Sequence, residues 1–196
     1  MESSVLALAQ CLELQRAAYR ANPCPDLEQR KGDLAALHRF LTDNEAAIIQ
    51  AIDADFGVRP ATETRLIELF PVRQGIRDTL GQIAKWMRPQ RRSVDHLVFP
   101  GASNRVIPQP LGVVGVMVPW NFPIFLSFGP LVDIVAAGNR AMVKMSDRST
   151  NLARLLLDGA VHLRRRVPHR SRAAQHHGVS LLLPVRGVAE LHHAAA

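Results

Sequence analysis

Leu111-Gly-Val-Val-Gly-Val-Met-Val118 is an unbroken apolar run, and Pro119-Trp120-Asn121-Phe122-Pro123 ends it. The length and β-branched content of the run predict a strand buried on both faces, as in a parallel sheet. Pro123 suits the first turn of a helix, where a missing N–H costs little. Ile124 to Ala137 reads as an apolar helix, and Gly138-Asn139 supplies a left-handed stop. Arg140-Ala-Met-Val-Lys144 is then a second short strand. Strand, helix and strand in so short a stretch make a βαβ unit with a right-handed crossover, so the fold class is α/β.

This topology places residues. Asn121 follows the carboxyl end of the first strand and Lys144 closes the second, so both lie on one rim of a parallel sheet. Ligands of open α/β sheets bind at that rim. An amide and a long cation there could recognise a polar ligand. Asn121 could equally cap the following helix, and Lys144 could be a solvated strand end. Spacing alone favours these plainer roles. Neither G-x-G-x-x-G nor G-x-x-x-x-G-K-[ST] occurs, and G-x-S-x-G, H-E-x-x-H and C-x-x-C are also absent. Gly112 and Gly115 stand inside the strand rather than after it.

Upstream the pattern is helical. Residues 5–20 form an amphipathic stretch stopped by Asn22-Pro23-Cys24-Pro25. A second helix is predicted from Asp26 to Leu41, with Leu27, Leu34, Leu37 and Leu41 on one face. Thr42-Asp43-Asn44 is expected to cap a third helix carrying Ile48, Ala51 and Ile52. Phe56-Gly57-Val58-Arg59-Pro60 reads as a loop. Helix resumes at Thr62, and Ile76, Leu80, Ile83 and Met87 make a core-packing stripe that ends before Pro89. Between Pro89 and Pro110 the helical period disappears, and Asp95 to Phe99 and Arg105 to Ile107 are expected to be short edge strands.

With 196 residues, the chain supports one domain, two at most. No apolar run reaches the roughly 18 residues of a membrane span. The start, Met1-Glu2-Ser3-Ser4, does not read as a secretory signal, and Cys11 and Cys24 make no disulfide framework, so a cytoplasmic location is expected. The net charge of +7 is unevenly spread: residues 159–196 hold six Arg against one Glu, and six of the eight His. That segment has no Lys, Ile, Met, Phe, Tyr or Trp. A boundary is therefore placed at 157/158. Arg164-Arg165-Arg166 could attract a polyanion. No aromatic is interleaved for base stacking, so no nucleic-acid partner is expected, and an extension with few large apolar side chains is the plainer reading. The pairs His176-His177 and His192-His193 diverge on either a strand or a helix and lack a carboxylate or Cys at ligand spacing, so no metal is expected.

Gln109-Pro-Leu-Gly-Val-Val-Gly-Val-Met-Val-Pro-Trp-Asn-Phe-Pro123 closely resembles the oxyanion-hole segment of NAD(P)-dependent aldehyde dehydrogenases. Gly129-Pro130, Ala137-Gly138-Asn139-Arg140 and Val143-Lys144-Met145-Ser146-Asp147 continue the match, as do Asp55-Phe56-Gly57 and Glu63-Thr64 upstream. The Lys-Met-Ser form looks most like the coniferyl aldehyde dehydrogenase branch. The resemblance covers roughly residues 10–155 and outweighs the odds set by spacing. It implies an incomplete doubly wound, Rossmann-like cofactor-binding domain with a helical N-terminal portion over residues 1–157. It also implies oxidation of an aldehyde to the acid with NAD or NADP, through a Cys thioester. Asn121 would donate to the developing oxyanion, and Lys144 would bind the adenosine ribose. Val118, Pro119 and Trp120 would line the cofactor groove. Asp147 stands where the family usually has Glu, one methylene longer. The family is typically homo-oligomeric.

In the family, the Gly-rich cofactor segment, the general-base Glu and the nucleophilic Cys come later in the chain, and residues 158–196 offer no counterpart. The composition of that segment is what GC-rich coding DNA yields out of frame, so a frameshift near residue 158 and a polypeptide without turnover are expected. A sheet without its later strands would expose an edge and favour association. The competing readings are a non-enzymatic fragment or subunit partner, and a polyanion-binding protein acting through residues 159–196.

Overall fold

The computed structural model describes residues 2–165 and 179–182, with side chains described for residues 8–158. Three helices come first: α1 (Glu2–Ala21), α2 (Leu27–Asp43) and α3 (Glu45–Phe56). Asp26 starts α2 by accepting the Gln29 N–H at 2.8 Å. The expected cap of α3 is different. The main-chain N–H and side-chain amide of Asn44 both donate to the Phe40 carbonyl, at 3.1 and 2.9 Å, so Asn44 closes α2 and gives α3 no side-chain cap.

A continuous helical rod follows as α4 (Ala61–Glu63), a π-helical stretch (Thr64–Leu69) and α5 (Phe70–Trp86). In a regular α-helix the ring of Pro71 would clash with the carbonyl four residues back. The wider i→i+5 winding just before it relieves that contact and turns Thr64, Glu68 and Leu69 inward. Of the predicted stripe, Ile76 and Ile83 are fully buried, while Leu80 and Met87 are partly buried against the core.

Strands β1 (Gln90–Arg92) and β2 (Asn104–Val106) pair antiparallel, with Arg91 opposite Arg105. Asp95 to Phe99, expected as a strand, is a turn. The Asp95 carboxylate accepts the Leu97 N–H at 2.9 Å and the Asp95 carbonyl accepts the Phe99 N–H at 2.8 Å, which closes the chain on itself.

The predicted βαβ unit is present as β3 (Val113–Met117), α6 (Pro123–Ala136) and β4 (Arg140–Lys144). The strands are parallel, with Val113 opposite Arg140 and Met117 opposite Lys144. Helix α7 (Thr150–Arg165) runs across the composition boundary at 157/158, and β5 (Val179–Leu182) joins β4 in parallel, giving the order β3-β4-β5. The side chains of Arg164, Arg165 and Arg166 and the two His pairs lie outside the described residues. Among the described residues no helix is long and apolar enough to cross a membrane.

Side chains alternate across a strand. Val114, Val116 and Val118 of the β3 segment and Ala141, Val143 and Met145 of the β4 segment face the main core. There they meet Leu34 and Leu41 of α2, Ile48 and Ile52 of α3, Ile76 of α5, Ile124 and Phe128 of α6, and Leu152 of α7. Each such side chain contributes roughly 1.5–3 kcal/mol on burial. The rings of Phe40 and Phe128 stack in parallel with centroids 6.1 Å apart. The expectation that β3 is buried on both faces is not met. Its other face is open, with Met117 82% exposed. The reason is coverage: among the described residues α1 secures only the amino end of the sheet, where Tyr19 donates to the Pro110 carbonyl and Arg140 to Gln15.

The joint between α6 and β4 is tightly determined. Gly138 takes φ +81°, and the Asn139 N–H reaches back to the Ile134 carbonyl. The Asn139 side-chain oxygen accepts the N–H groups of Leu111 and Gly112, at 2.6 and 2.9 Å, and so ties the end of the crossover to the start of β3.

Candidate functional site

The carboxyl ends of β3 and β4 are joined by a 2.9 Å hydrogen bond from the Val118 N–H to the Lys144 carbonyl. Val118 is buried, and beyond it Pro119, Trp120 and Asn121 emerge on the surface. Phe122 is the N-cap residue of α6 and provides no side-chain cap. Asn121 does not cap the helix either. Glu68, from the π-helical stretch, does so: its Oε2 accepts the N–H groups of Ile124 and Phe125 at 2.7 and 3.3 Å. The Asn121 amide is therefore exposed at the rim, with no hydrogen-bond partner among the described residues.

Two buried charges support this turn. The guanidinium of Arg59 lies 4.5 Å from the ring centre of Phe56 and 5.0 Å from that of Phe122. Its Nη1 donates to the Asn121 main-chain carbonyl at 2.8 Å. Ion pairs join it to Glu63 at 3.1 Å and to Glu68 at 3.4 Å. Arg59 is 6% exposed and Glu68 fully buried. Burial pushes the Glu68 carboxyl above the ordinary glutamate range, while the two N–H donors and Arg59 pull it back.

On the neighbouring strand, Lys144 extends from the open face of the sheet and its side chain is 36% exposed. Its Nζ lies 3.4 Å from both the Met145 carbonyl and Asp147 Oδ1. Trp120 is half-exposed, its ring tilted against Phe56 at 6.0 Å with the Arg148 guanidinium 5.9 Å away. The loop after β4 is anchored beneath by Asp55, which accepts from the main-chain N–H groups of Asn151 and Leu152, at 2.8 and 3.0 Å, and caps α7.

The predicted residues thus fall into two groups on one rim: Val118 to Asn121 after β3, and Lys144 with Asp147 after β4. Asn121 and Lys144 share no hydrogen bond. Cys24 lies elsewhere. Its Sγ is 3.8 Å from Arg30, which binds the Ala136 carbonyl at the far end of α6. A helix of 14 residues separates that end from Asn121, on the order of 20 Å. Cys11 is buried in α1. No cluster of metal-ligating side chains occurs among the described residues.

A model of the aldehyde dehydrogenase family matches residues 7–163. The chain belongs to that family. It is 52% identical over 144 residues to the "Probable coniferyl aldehyde dehydrogenase" of Pseudomonas aeruginosa, covering 74% of this chain and 30% of that protein. With the coniferyl aldehyde dehydrogenase of a Pseudomonas species it shares 41% identity over 151 residues, covering 77% of this chain and 31% of the relative. The chain therefore spans about a third of the length of these curated relatives.

Among solved structures, AldH of Staphylococcus aureus in a substrate-bound state superposes with a TM-score of 0.78 at 21% identity, covering 90% of this chain and 36% of that one. The aldehyde dehydrogenase of Mycobacterium tuberculosis complexed with NAD+ gives a TM-score of 0.70 at 21% identity, covering 88% and 33%. At such identities the likeness shows the fold, here part of the α/β fold of an aldehyde dehydrogenase.

Sequence reasoning missed Arg59 and Glu68 of this aldehyde dehydrogenase chain. One signal was present. Glu68 is a lone acid within Leu66-Ile67-Glu68-Leu69-Phe70, and a charge in an apolar helical run is buried only with partners.

Proposed function

We propose that this chain forms the nucleotide-binding part of an aldehyde dehydrogenase and presents Asn121 to the oxygen of an aldehyde. The observation that carries this reading is the release of Asn121 from helix capping. With Glu68 serving the α6 N–H groups, the Asn121 amide stays exposed at the carboxyl rim of a parallel sheet. An amide N–H aimed at a carbonyl oxygen gains strength as negative charge grows there, and loss of one such donor typically costs 10²–10³ in turnover.

The rim residues fit a dinucleotide. Lys144 offers a cation on the open face, Asp147 an acceptor beside it and Trp120 a half-exposed ring, while Val118 supplies a tightly held main chain. In this reading Lys144 donates to ribose hydroxyls, Asp147 holds the Lys144 ammonium at that height, and Pro119 and Trp120 wall the groove. The bound NAD or NADP would supply a hydride acceptor. The relatives support an aromatic aldehyde of the coniferyl kind as substrate.

The attacking thiolate is assigned to neither cysteine, because Cys24 lies at the opposite end of α6 and Cys11 is buried in α1. The composition of residues 158–196 supports a shifted reading frame, and the nucleotide sequence around codons 150–165 tests that. For the site itself, calorimetric titration of the chain with NAD+ and NADP+ is the test. Saturable binding weakened at least tenfold by Lys144→Met supports the reading. Failure of both nucleotides to bind at millimolar concentration defeats it.

A further inference from the structure

The aim of the Asn121 amide depends on the backbone that carries it, because the amide itself has no partner among the described residues. That backbone is gripped from outside the βαβ unit. Arg59 reaches across 62 positions of sequence to the Asn121 carbonyl, and Glu68 reaches across 56 to the Ile124 N–H. The two meet each other at 3.4 Å. Resting on the reading above, we infer that Arg59 and Glu68 are positioning residues for Asn121, fixing the turn from β3 into α6 and hence the point the amide N–H reaches.

The chemistry explains why charges occupy a dry site. An apolar pair could fill the same space at no loss of stability. It could not satisfy a carbonyl and two N–H groups in defined directions. Arg59 carries two tasks at once, stacking its flat guanidinium between Phe56 and Phe122 while Nη1 donates to Asn121. A lysine ammonium is a point charge and performs only the second. A donor displaced by about 1 Å can lose on the order of 100-fold in rate, so a buried anchor for this turn has a functional consequence.

The test uses the full 196-residue chain, labelled with 15N. Backbone order parameters of Trp120, Asn121 and Phe122 are compared in the parent, Arg59→Met and Arg59→Lys. Amide exchange at Ile124 and Phe125 is compared in the parent, Glu68→Ala and Glu68→Gln. Arg59→Met should lower the order parameters from about 0.85 to below about 0.6, and Arg59→Lys should recover part of the loss. Glu68→Ala should speed exchange at Ile124 and Phe125 at least tenfold over Leu131 and Val132 of the same helix, with Glu68→Gln close to the parent. The conservative variants keep the inference testable where the truncations fail to fold. Unchanged order at 120–122, or exchange raised uniformly along α6, overturns it. Nucleotide titration reads the functional proposal separately, since a rigid turn that binds no nucleotide would sink that proposal alone.

Discussion

Glu68 caps helix α6 from a different element, its Oε2 accepting the Ile124 N–H at 2.7 Å. The same carboxylate meets Arg59 Nη1, which also donates to the Asn121 carbonyl, while Arg59 Nη2 faces Glu63. One buried ion pair therefore joins the π-helical stretch, the loop before it and the start of α6. Its geometry is not saturated: Glu68 Oε1 and Arg59 Nε lack hydrogen-bond partners among the described residues. Such a pair is sensitive to loss of either member.

Removing the carboxylate should therefore be severe. Glu68→Ala leaves two helix N–H groups without their acceptor and takes from the buried Arg59 guanidinium one of its two carboxylates, and breaking a buried pair this way costs about 3–5 kcal/mol. Glu68→Gln keeps an acceptor oxygen and should cost less than half as much. Urea midpoints of the two variants check this. Equal midpoints would mean that the carboxylate is replaceable by packing alone.

How much of this was legible beforehand follows from the range of each interaction. The βαβ unit was, because its strands are short apolar runs and its turns carry Pro123 and Gly138. The rim placement of Asn121 and Lys144 follows from that topology. The Arg59–Glu68–Asn121 cluster was not, because its members lie far apart in sequence and only packing joins them. The open face of β3 was hidden for a related reason: a continuous apolar run does not say which face has a covering layer. Asp95 to Phe99 misled because Val and Phe favour strands, while the Asp95 side chain favours a turn by accepting a nearby N–H.

Two glutamates should bend the pH–stability profile in opposite directions. Burial raises the folded pKa of Glu68, so the native state holds that proton more firmly than the unfolded chain. Its contribution is best below the ordinary glutamate pKa and declines as pH rises through the raised value. Glu45 is held low, first by hydrogen bonds from Arg65 and Arg73. Its contribution is present above the ordinary value and is lost as pH falls through the lowered one. Denaturation midpoints followed across pH should lose the upper slope in Glu68→Gln and the lower slope in Glu45→Gln. Parallel profiles for both variants and the parent would contradict the assignment.

Gly138 and Gly57 both have positive φ, +81° and +84°, but only one is crowded. A Cβ at Gly138 would fall 2.6 Å from Arg30 Cζ, whereas at Gly57 nothing lies within 4 Å. Alanine at Gly57 should cost the left-handed conformation alone, roughly 1–2 kcal/mol. Alanine at Gly138 should cost more, because Arg30 must also leave the Ala136 carbonyl. Urea midpoints measure the difference, and equal losses would show that Arg30 moves aside freely.

Lys144 provides a separation of binding from folding. Its contact with Asp147 is long, at 3.4 Å, and both side chains are over a third exposed, so the pair contributes at most about 1 kcal/mol. Lys144→Met keeps the aliphatic stem and should leave the melting temperature within a few degrees of the parent. If the ammonium is there for a ribose, NAD+ affinity should still fall at least tenfold. Asp147→Glu lengthens the acceptor by one methylene and should alter the ratio of NAD+ to NADP+ affinity without altering the melting temperature. A melting temperature that falls in step with affinity would show that Lys144 serves the strand end, and the rim would lose its claim as a nucleotide site.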